Sequence, residues 1–176
     1  MATAIHIVPV GSGVSVGLLD DLAAALARIF RVSCRVPNQS PVDAGFALDA
    51  RRNQHHATAV LRRIHDLEPD PDVRIIGVTR HDLFVPILTF VFGEAELGGR
   101  CALVSVQRLD ERFYGLPARQ ELLRERLVKE AVHELGHTYG LRHCDDWRCV
   151  MTSSHAVDNL DIKGPDFCRR CRAAVV

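Results

Sequence analysis

The stretch His133-Glu134-Leu135-Gly136-His137-Thr138-Tyr139-Gly140-Leu141-Arg142-His143 decides how this chain is read. His133 and His137 are four residues apart, so on a helix they share one face about one turn apart. Two imidazoles so placed can hold one metal ion. Glu134 stands next to the first of them, and its carboxylate can lean toward the open side of that ion. Gly140 lets the chain turn sharply, so that His143 can return as a third ligand. Three protein ligands leave a fourth position for water, which is the pattern of a catalytic zinc site. Zinc so held lowers the pKa of its bound water to roughly 7 and polarises a scissile carbonyl. Glu134 is then expected to take the water's proton and pass it to the leaving amine, while zinc stabilises the oxyanion. The competing reading is a helix with solvated histidines. A long helix closed by glycine is the context that favours the metal.

Cys144 follows His143 directly. With Cys149, Cys168 and Cys171 it forms the pattern Cys-x4-Cys, an 18-residue spacer, and Cys-x2-Cys. Paired cysteines at this spacing match a structural, tetrahedral zinc site. Two disulfides or unrelated buried thiols are the alternatives, and a reducing compartment disfavours them. The segment after Gly140 has little periodicity, holds four of the six cysteines, and is too small and polar to fold on its own core. A metal staple would supply what that core cannot. A ribbon of this kind could also bind nucleic acid, but Asp145, Asp146, Asp158, Asp161 and Asp166 offset its basic residues.

Upstream of the motif the pattern is α/β. Residues 4 to 10 and 31 to 36 read as short strands, and Leu18, Leu19, Leu22, Leu26 and Phe30 mark a helix over residues 16 to 30. This β-α-β start favours parallel pairing. Residues 38 to 53 read as a loop. A second helix is expected over residues 54 to 67, buried through Ala57, Val60, Leu61 and Ile64. A strand follows over residues 72 to 78. Then Ile87 to Phe92 and Cys101 to Val106 read as an antiparallel pair joined through Gly93 to Gly99. Pro117 suits a first helical turn, and a long helix over residues 118 to 139 carries the motif, with Leu123, Leu127 and Val128 as its core face.

One domain is expected from 176 residues, and 22 basic against 22 acidic side chains give no footprint for nucleic acid or an anionic membrane. No apolar run approaches a membrane span. The amino terminus resembles a first strand more than a signal peptide. The protein is therefore expected in the cytoplasm, as a monomer. The expected division is residues 1 to 143, an α/β part ending at the third ligand, and residues 144 to 176, the four-cysteine part.

The motif followed by Met151 resembles the metzincin metallopeptidases. With the adjacent Cys144, then Cys149, Cys168 and Cys171, it resembles the archaemetzincins in particular. Softer resemblance runs through Gly77-Val78-Thr79, Asp82-Leu83-Phe84 and Phe90-Val91-Phe92-Gly93. The resemblance implies a mixed twisted sheet packed on a backing helix and an active-site helix, with a small zinc-stapled carboxy-terminal subdomain. It implies that Met151 sits in a tight turn beneath the catalytic zinc, and that an antiparallel edge strand, Ile87 to Gly93, lines the cleft and pairs with an extended peptide. Some metzincins place a tyrosine two residues after that methionine. Here the position is Ser153, so no tyrosine is assigned to the metal.

Tyr139 is read as packing, Cys34 and Cys101 as core, and His55 and His56 as solvated at a helix start. The pairs Arg51-Arg52 and Arg62-Arg63 are read as surface charge, and His155 as a loop residue able to touch the cleft. The function expected is a zinc-dependent peptidase with two zinc ions per chain, acting on peptides or partly unfolded chains. A zinc-bound binding or regulatory module and a hydrolase of non-peptide amides are the other readings. Glu134 favours an enzyme, because a purely structural zinc needs no adjacent base.

Overall fold

The computed structural model describes residues 2 to 175. β1 (Ala4–Val10), α1 (Val16–Phe30) and β2 (Ser33–Arg35) form the expected parallel unit, with Ala4 opposite Ser33. The Ser15 hydroxyl caps α1 by accepting from the Leu18 N–H. Its leucines at 18, 19, 22 and 26 and Phe30 are all buried, as their spacing predicts.

β1 also pairs in parallel with β5 (Val73–Thr79), and β5 with β8 (Cys101–Ser105). β7 (Gly93–Ala95) closes the edge antiparallel to β8. The sheet order is β2-β1-β5-β8-β7. Both faces of the central strands are covered, which explains their continuous apolar runs. Ile5, Ile7, Ile76, Val78, Ala102 and Val104 face one core cluster, shared with α1 and with the motif helix α3 (Gln120–Thr138). Val8, Val10, Ile75 and Leu103 face the other, covered by Ala57, Val60, Leu61 and Ile64 of α2 (Ala57–His65). Residues after Gly140, among them Cys144, Val150, Met151, Leu160 and Phe167, pack into the first cluster.

Three expectations need correction. The second helix begins at Ala57, because Gln54–His56 is a strand, β4, between β3 (Leu48–Asp49) and β6 (Leu83–Phe84). His56 caps α2 by accepting from the Ala59 N–H, and His55 is buried against His81, ring centroids 3.9 Å apart, so neither is a solvated helix residue. Arg52 is not loose surface charge. It donates to Gln54 Oε1 and to the Leu88 and Thr89 carbonyls, and lies over the Phe84 ring.

The third correction concerns the edge. Ile87 to Phe92 is not a strand, and the antiparallel partner of β8 is Gly93–Ala95. Pro86 lacks a ladder donor, and side chains of Arg52 and Gln54 engage the Leu88 and Thr89 carbonyls instead of a neighbouring strand. The segment touches neighbouring strands only at its end, where the Val91 N–H bonds Leu83 O at 2.9 Å and the Phe92 carbonyl accepts from the Ser105 N–H at 2.8 Å.

α3 starts at Gln120, slightly after the expected position, and Val128 is half-buried where Leu123 and Leu127 are fully buried. Among the described residues no helix is long and apolar enough to cross a membrane.

Candidate metal centre and cleft

The carboxy-terminal turns of α3 carry His133 and His137 side by side, with ring centroids 4.7 Å apart. Gly140, with φ +83°, takes the left-handed turn that ends the helix. The chain then brings the His143 ring within 5.3 Å of His133 and 5.2 Å of His137. One ring nitrogen from each of the three lies within 4.8 Å of the others.

Hydrogen bonds decide which nitrogens face inward. Nδ1 of His133 lies 2.9 Å from the Val150 carbonyl, and Nδ1 of His137 lies 2.7 Å from the Leu141 carbonyl. A carbonyl only accepts, so each Nδ1 carries the hydrogen and each Nε2 of a neutral ring is a bare lone pair. Those two Nε2 atoms face each other at 3.1 Å. Two nitrogens at 2.0–2.1 Å from a tetrahedral zinc would be about 3.3 Å apart, so a zinc ion fits the donor set. Burial pushes all three histidines below their ordinary pKa, His133 furthest, which keeps them in the neutral, ligating form.

Packing explains two glycines. A Cβ on Gly136 would stand 2.4 Å from the Met151 sulfur, so the motif glycine admits the buried methionine against the helix. A Cβ on Gly93 would meet the Leu103 carbonyl at 2.5 Å and Glu134 Cγ at 2.7 Å, so β7 passes directly over Glu134.

Glu134 is buried at the bottom of a cleft of about 590 Å³. One wall is residues 88 to 95 with Leu97; the other is Arg142, His143, Ser153, Ser154 and His155. Residues 88 to 92 therefore line the cleft without forming the expected strand, Ile87 is exposed outside it, and His155 reaches it as expected. Burial pushes the Glu134 carboxyl up, and the neighbouring Glu130 pushes it further. A cation at the histidines would act in the opposite direction. Tyr139 stacks on Phe30 at 5.6 Å and lies 3.6 Å beneath the Arg74 guanidinium, a packing position as expected. Cys101 is fully buried and Cys34 half-buried.

The sulfurs of Cys144, Cys149, Cys168 and Cys171 also lie within 4.8 Å of one another, and all four are free thiols. Cys144 Sγ and Cys168 Sγ are 3.9 Å apart. That is far beyond a disulfide bond of about 2.05 Å, and close to the roughly 3.8 Å edge of a tetrahedron with 2.3 Å zinc–sulfur bonds. The Cys168 N–H donates to Cys149 Sγ, and Arg170 donates to Cys144 Sγ. Hydrogen bonds, led by the Cys171 backbone, lower the Cys168 pKa to about 7.

Two charged residues escaped the sequence reading. Glu130 precedes Glu134 by one turn, lines the same cleft and is buried. Its signal was available in the i, i+4 spacing. Lys163 is buried behind His133, and nothing in its irregular segment announces it.

A family model described as peptidase family M54 matches residues 39–175. The chain is 40% identical to the archaemetzincin of Archaeoglobus fulgidus over 158 residues, 89% of this chain and 90% of that protein. The crystal structure of an archaemetzincin from the same organism, complexed with malonate, matches with a TM-score of 0.82 over 97% of this chain and 99% of that one, at 40% identity. A zinc-dependent peptidase from Methanocorpusculum labreanum matches with a TM-score of 0.87 over 98% and 100%, at 32% identity.

Proposed function

The chain belongs to peptidase family M54, the archaemetzincins, and on the premise that it is a zinc-dependent peptidase we propose how its own residues divide the work. His133, His137 and His143 hold the catalytic zinc, Glu134 is the general base, and Met151 packs beneath them. Cys144, Cys149, Cys168 and Cys171 hold a second, structural zinc, giving two ions per chain. The observation that carries this reading is the pair of bare Nε2 atoms facing each other at 3.1 Å beside a buried carboxylate. When bound, the histidine-held ion supplies Lewis acidity to the attacking water and the scissile carbonyl.

The protein's part is positioning and proton transfer. Val150 and Leu141 carbonyls fix the tautomers and orientations of His133 and His137. Glu134 takes a proton on a carboxylate oxygen and hands it to the leaving nitrogen. An extended peptide lies along the wall of residues 88 to 95 and adds to the outer edge of β7 through main-chain hydrogen bonds. Leu88, Phe90 and Leu97 give it apolar contacts. Free thiols gathered for a metal suit a reducing compartment, so we place the protein in the cytoplasm.

The test is a mass-spectrometric digest of a peptide library by the zinc-loaded protein and by its Glu134→Gln variant. Cleavages made only by the unaltered protein support the reading. Equal cleavage by both removes Glu134 as the base, and no cleavage by either leaves a zinc-bound binding module.

A further inference from the structure

The far end of the cleft wall is held from behind by side chains that no motif announces. Asp82 is the centre of this brace. Its two carboxylate oxygens accept from Nε and Nη2 of Arg108 at 2.7 and 2.8 Å, a two-pronged pair that fixes the plane of the guanidinium. Gln54 Nε2 donates to Asp82 Oδ2 at 2.9 Å and to the Thr89 carbonyl at 3.0 Å. Arg52 donates to Gln54 Oε1 at 2.9 Å, and its Nη2 reaches the Leu88 and Thr89 carbonyls at 2.8 and 2.9 Å. Both carbonyls are thereby engaged by the protein's own donors. A peptide at this end of the wall meets side chains rather than a free row of acceptors.

Arg108 carries the brace to the surface. Its guanidinium carbon stands 4.1 Å from the centre of the Phe90 ring, which lines the cleft, and 4.7 Å from the centre of the Phe113 ring, which is exposed. One cation therefore holds two aromatic rings. Phe90 is steadied further by an edge contact with Phe92, centroids 5.3 Å apart. Phe113 lies in the short 3-10 turn Glu111–Tyr114, which Asp110 caps by accepting from the Arg112 N–H at 3.0 Å. Tyr114 packs edge-on against Phe113, centroids 5.1 Å apart, and its hydroxyl donates to the Arg108 carbonyl at 3.0 Å. Leu88, Phe113 and Tyr114 keep apolar surface exposed. Leu88 and Phe90 belong to the cleft, so the exposed pair is continuous with it through Arg108. Rings fixed in this way lose little freedom when something binds them.

We propose that Phe90 and Phe113, joined by Arg108, form a subsite of the cleft that takes an apolar, above all aromatic, side chain of the substrate. Arg108 and Asp82 are its positioning residues. The inference rests on the cleft being the peptide-binding site of a peptidase, and it names the substrate class selected there. Asp82 already balances the Arg108 charge, so the subsite is not one for a carboxylate. β7 passes over Glu134 at Gly93, and Phe90 is three residues before it. An extended chain advances about 3.3 Å per residue, so the side chain recognised lies about three residues from the scissile bond. Ring-on-ring contact adds about 2- to 10-fold in affinity beyond the area covered, which favours an aromatic residue over an aliphatic one.

The experiment is a phenylalanine walk. A peptide that the zinc-loaded protein cleaves at one bond is made as a series, with a single phenylalanine replacing serine at each of four positions on either side of that bond. The account predicts a peak in kcat/KM about three residues from the bond on one side, about 3- to 10-fold above the serine parent, from half-covering one ring. Phe90→Ala and Phe113→Ala are each expected to cut that peak to less than about 2-fold. Arg108→Lys keeps the charge but loses the fork on Asp82, and should flatten the peak in the same way. An arginine that merely supports the fold would lower every peptide alike and leave their ratio unchanged. Phe46→Ala, an exposed aromatic in a different hollow, should keep the peak. No peak at two to four residues from the bond, or a peak unchanged in Phe113→Ala, overturns the proposal. If Arg108→Lys fails to fold, the exposed Phe113 decides alone. If the unaltered protein cleaves nothing, the peptidase reading fails separately, and calorimetric titration with a serine- and glycine-rich peptide, with and without one central phenylalanine, decides the subsite. Binding about 3- to 10-fold tighter with the phenylalanine, lost in Phe113→Ala, supports it, and equal binding overturns it.

Discussion

Replacing Gly93 with alanine adds one methyl group at the tightest point between the sheet edge and the motif helix. That carbon would sit 2.5 Å from the Leu103 carbonyl oxygen and 2.7 Å from Glu134 Cγ. Ordinary contact begins near 3.4 Å, so relief needs a displacement of nearly 1 Å. The Leu103 oxygen belongs to the buried strand β8 and cannot rotate away as a side chain could. The strain must pass into β7, or into Glu134, or into both. Overpacking of this kind costs about 1–3 kcal/mol. In a domain of this size each kcal/mol is about 2–4 °C in Tm, so thermal unfolding is expected about 2–12 °C lower. A misplacement of about 1 Å at a reacting group costs on the order of 10²-fold in rate, so kcat on a cleaved peptide is expected to fall by about that factor. Gly17→Ala is the control. It lies in the first turn of α1, with nothing within 4 Å of the added carbon, and should be neutral or stabilising by up to about 1 kcal/mol. A Gly93→Ala protein with unchanged Tm and kcat would refute the reasoning that β7 and Glu134 are packed against each other.

Asp110 is buried and accepts from Arg112 and Arg80, and the Arg112 guanidinium holds its carboxyl well below the usual carboxylate range. A depressed folded pKa stabilises above the unfolded value and is lost as pH falls. Asp110→Asn should therefore cost about 1.5–3 kcal/mol at neutral pH, read as a lower Tm, with the gap narrowing below about pH 3.9. His143 and Cys144 are consecutive, and the Cys144 N–H bonds the Met151 carbonyl at 3.0 Å. Cys168→Ser should therefore weaken the histidine zinc site about 10- to 100-fold as well as the cysteine site, whereas His133→Ala should leave the cysteine-held zinc in place; chelator competition with elemental analysis measures both. Acidification should release the histidine-held zinc only below about pH 6.5, since burial lowers all three histidines and ligands must be neutral; full zinc retention at about pH 4 would contradict the three-histidine site.

What the sequence discloses is local. The bounds of α1 follow from Ser15 and the leucine spacing, and the histidine constellation follows from an i, i+4 pair and a glycine turn. What it hides depends on distant partners. The segment of residues 87 to 92 has the composition of a strand, but its Leu88 and Thr89 carbonyls are engaged by the side chains of Arg52 and Gln54, more than thirty residues away in the chain. Gln54–His56 continues a helical pattern and still forms a strand, because β6 supplies a parallel partner and His56 provides the cap. Glu130 repeats the spacing of the motif and is legible in hindsight. Lys163 is not, since burial of an ammonium is decided by the Thr152 carbonyl and Glu130.

The most direct test of the account is zinc re-addition to chelated protein, with bound metal and peptide cleavage followed together. The account predicts no cleavage without metal, and recovery in step with filling of the His133, His137 and His143 site. Glu134→Gln should bind the same two ions and recover less than about a tenth of the rate, since general-base catalysis typically contributes 10²-fold or more. Cleavage that persists in the metal-free protein, or full recovery in Glu134→Gln, would contradict it.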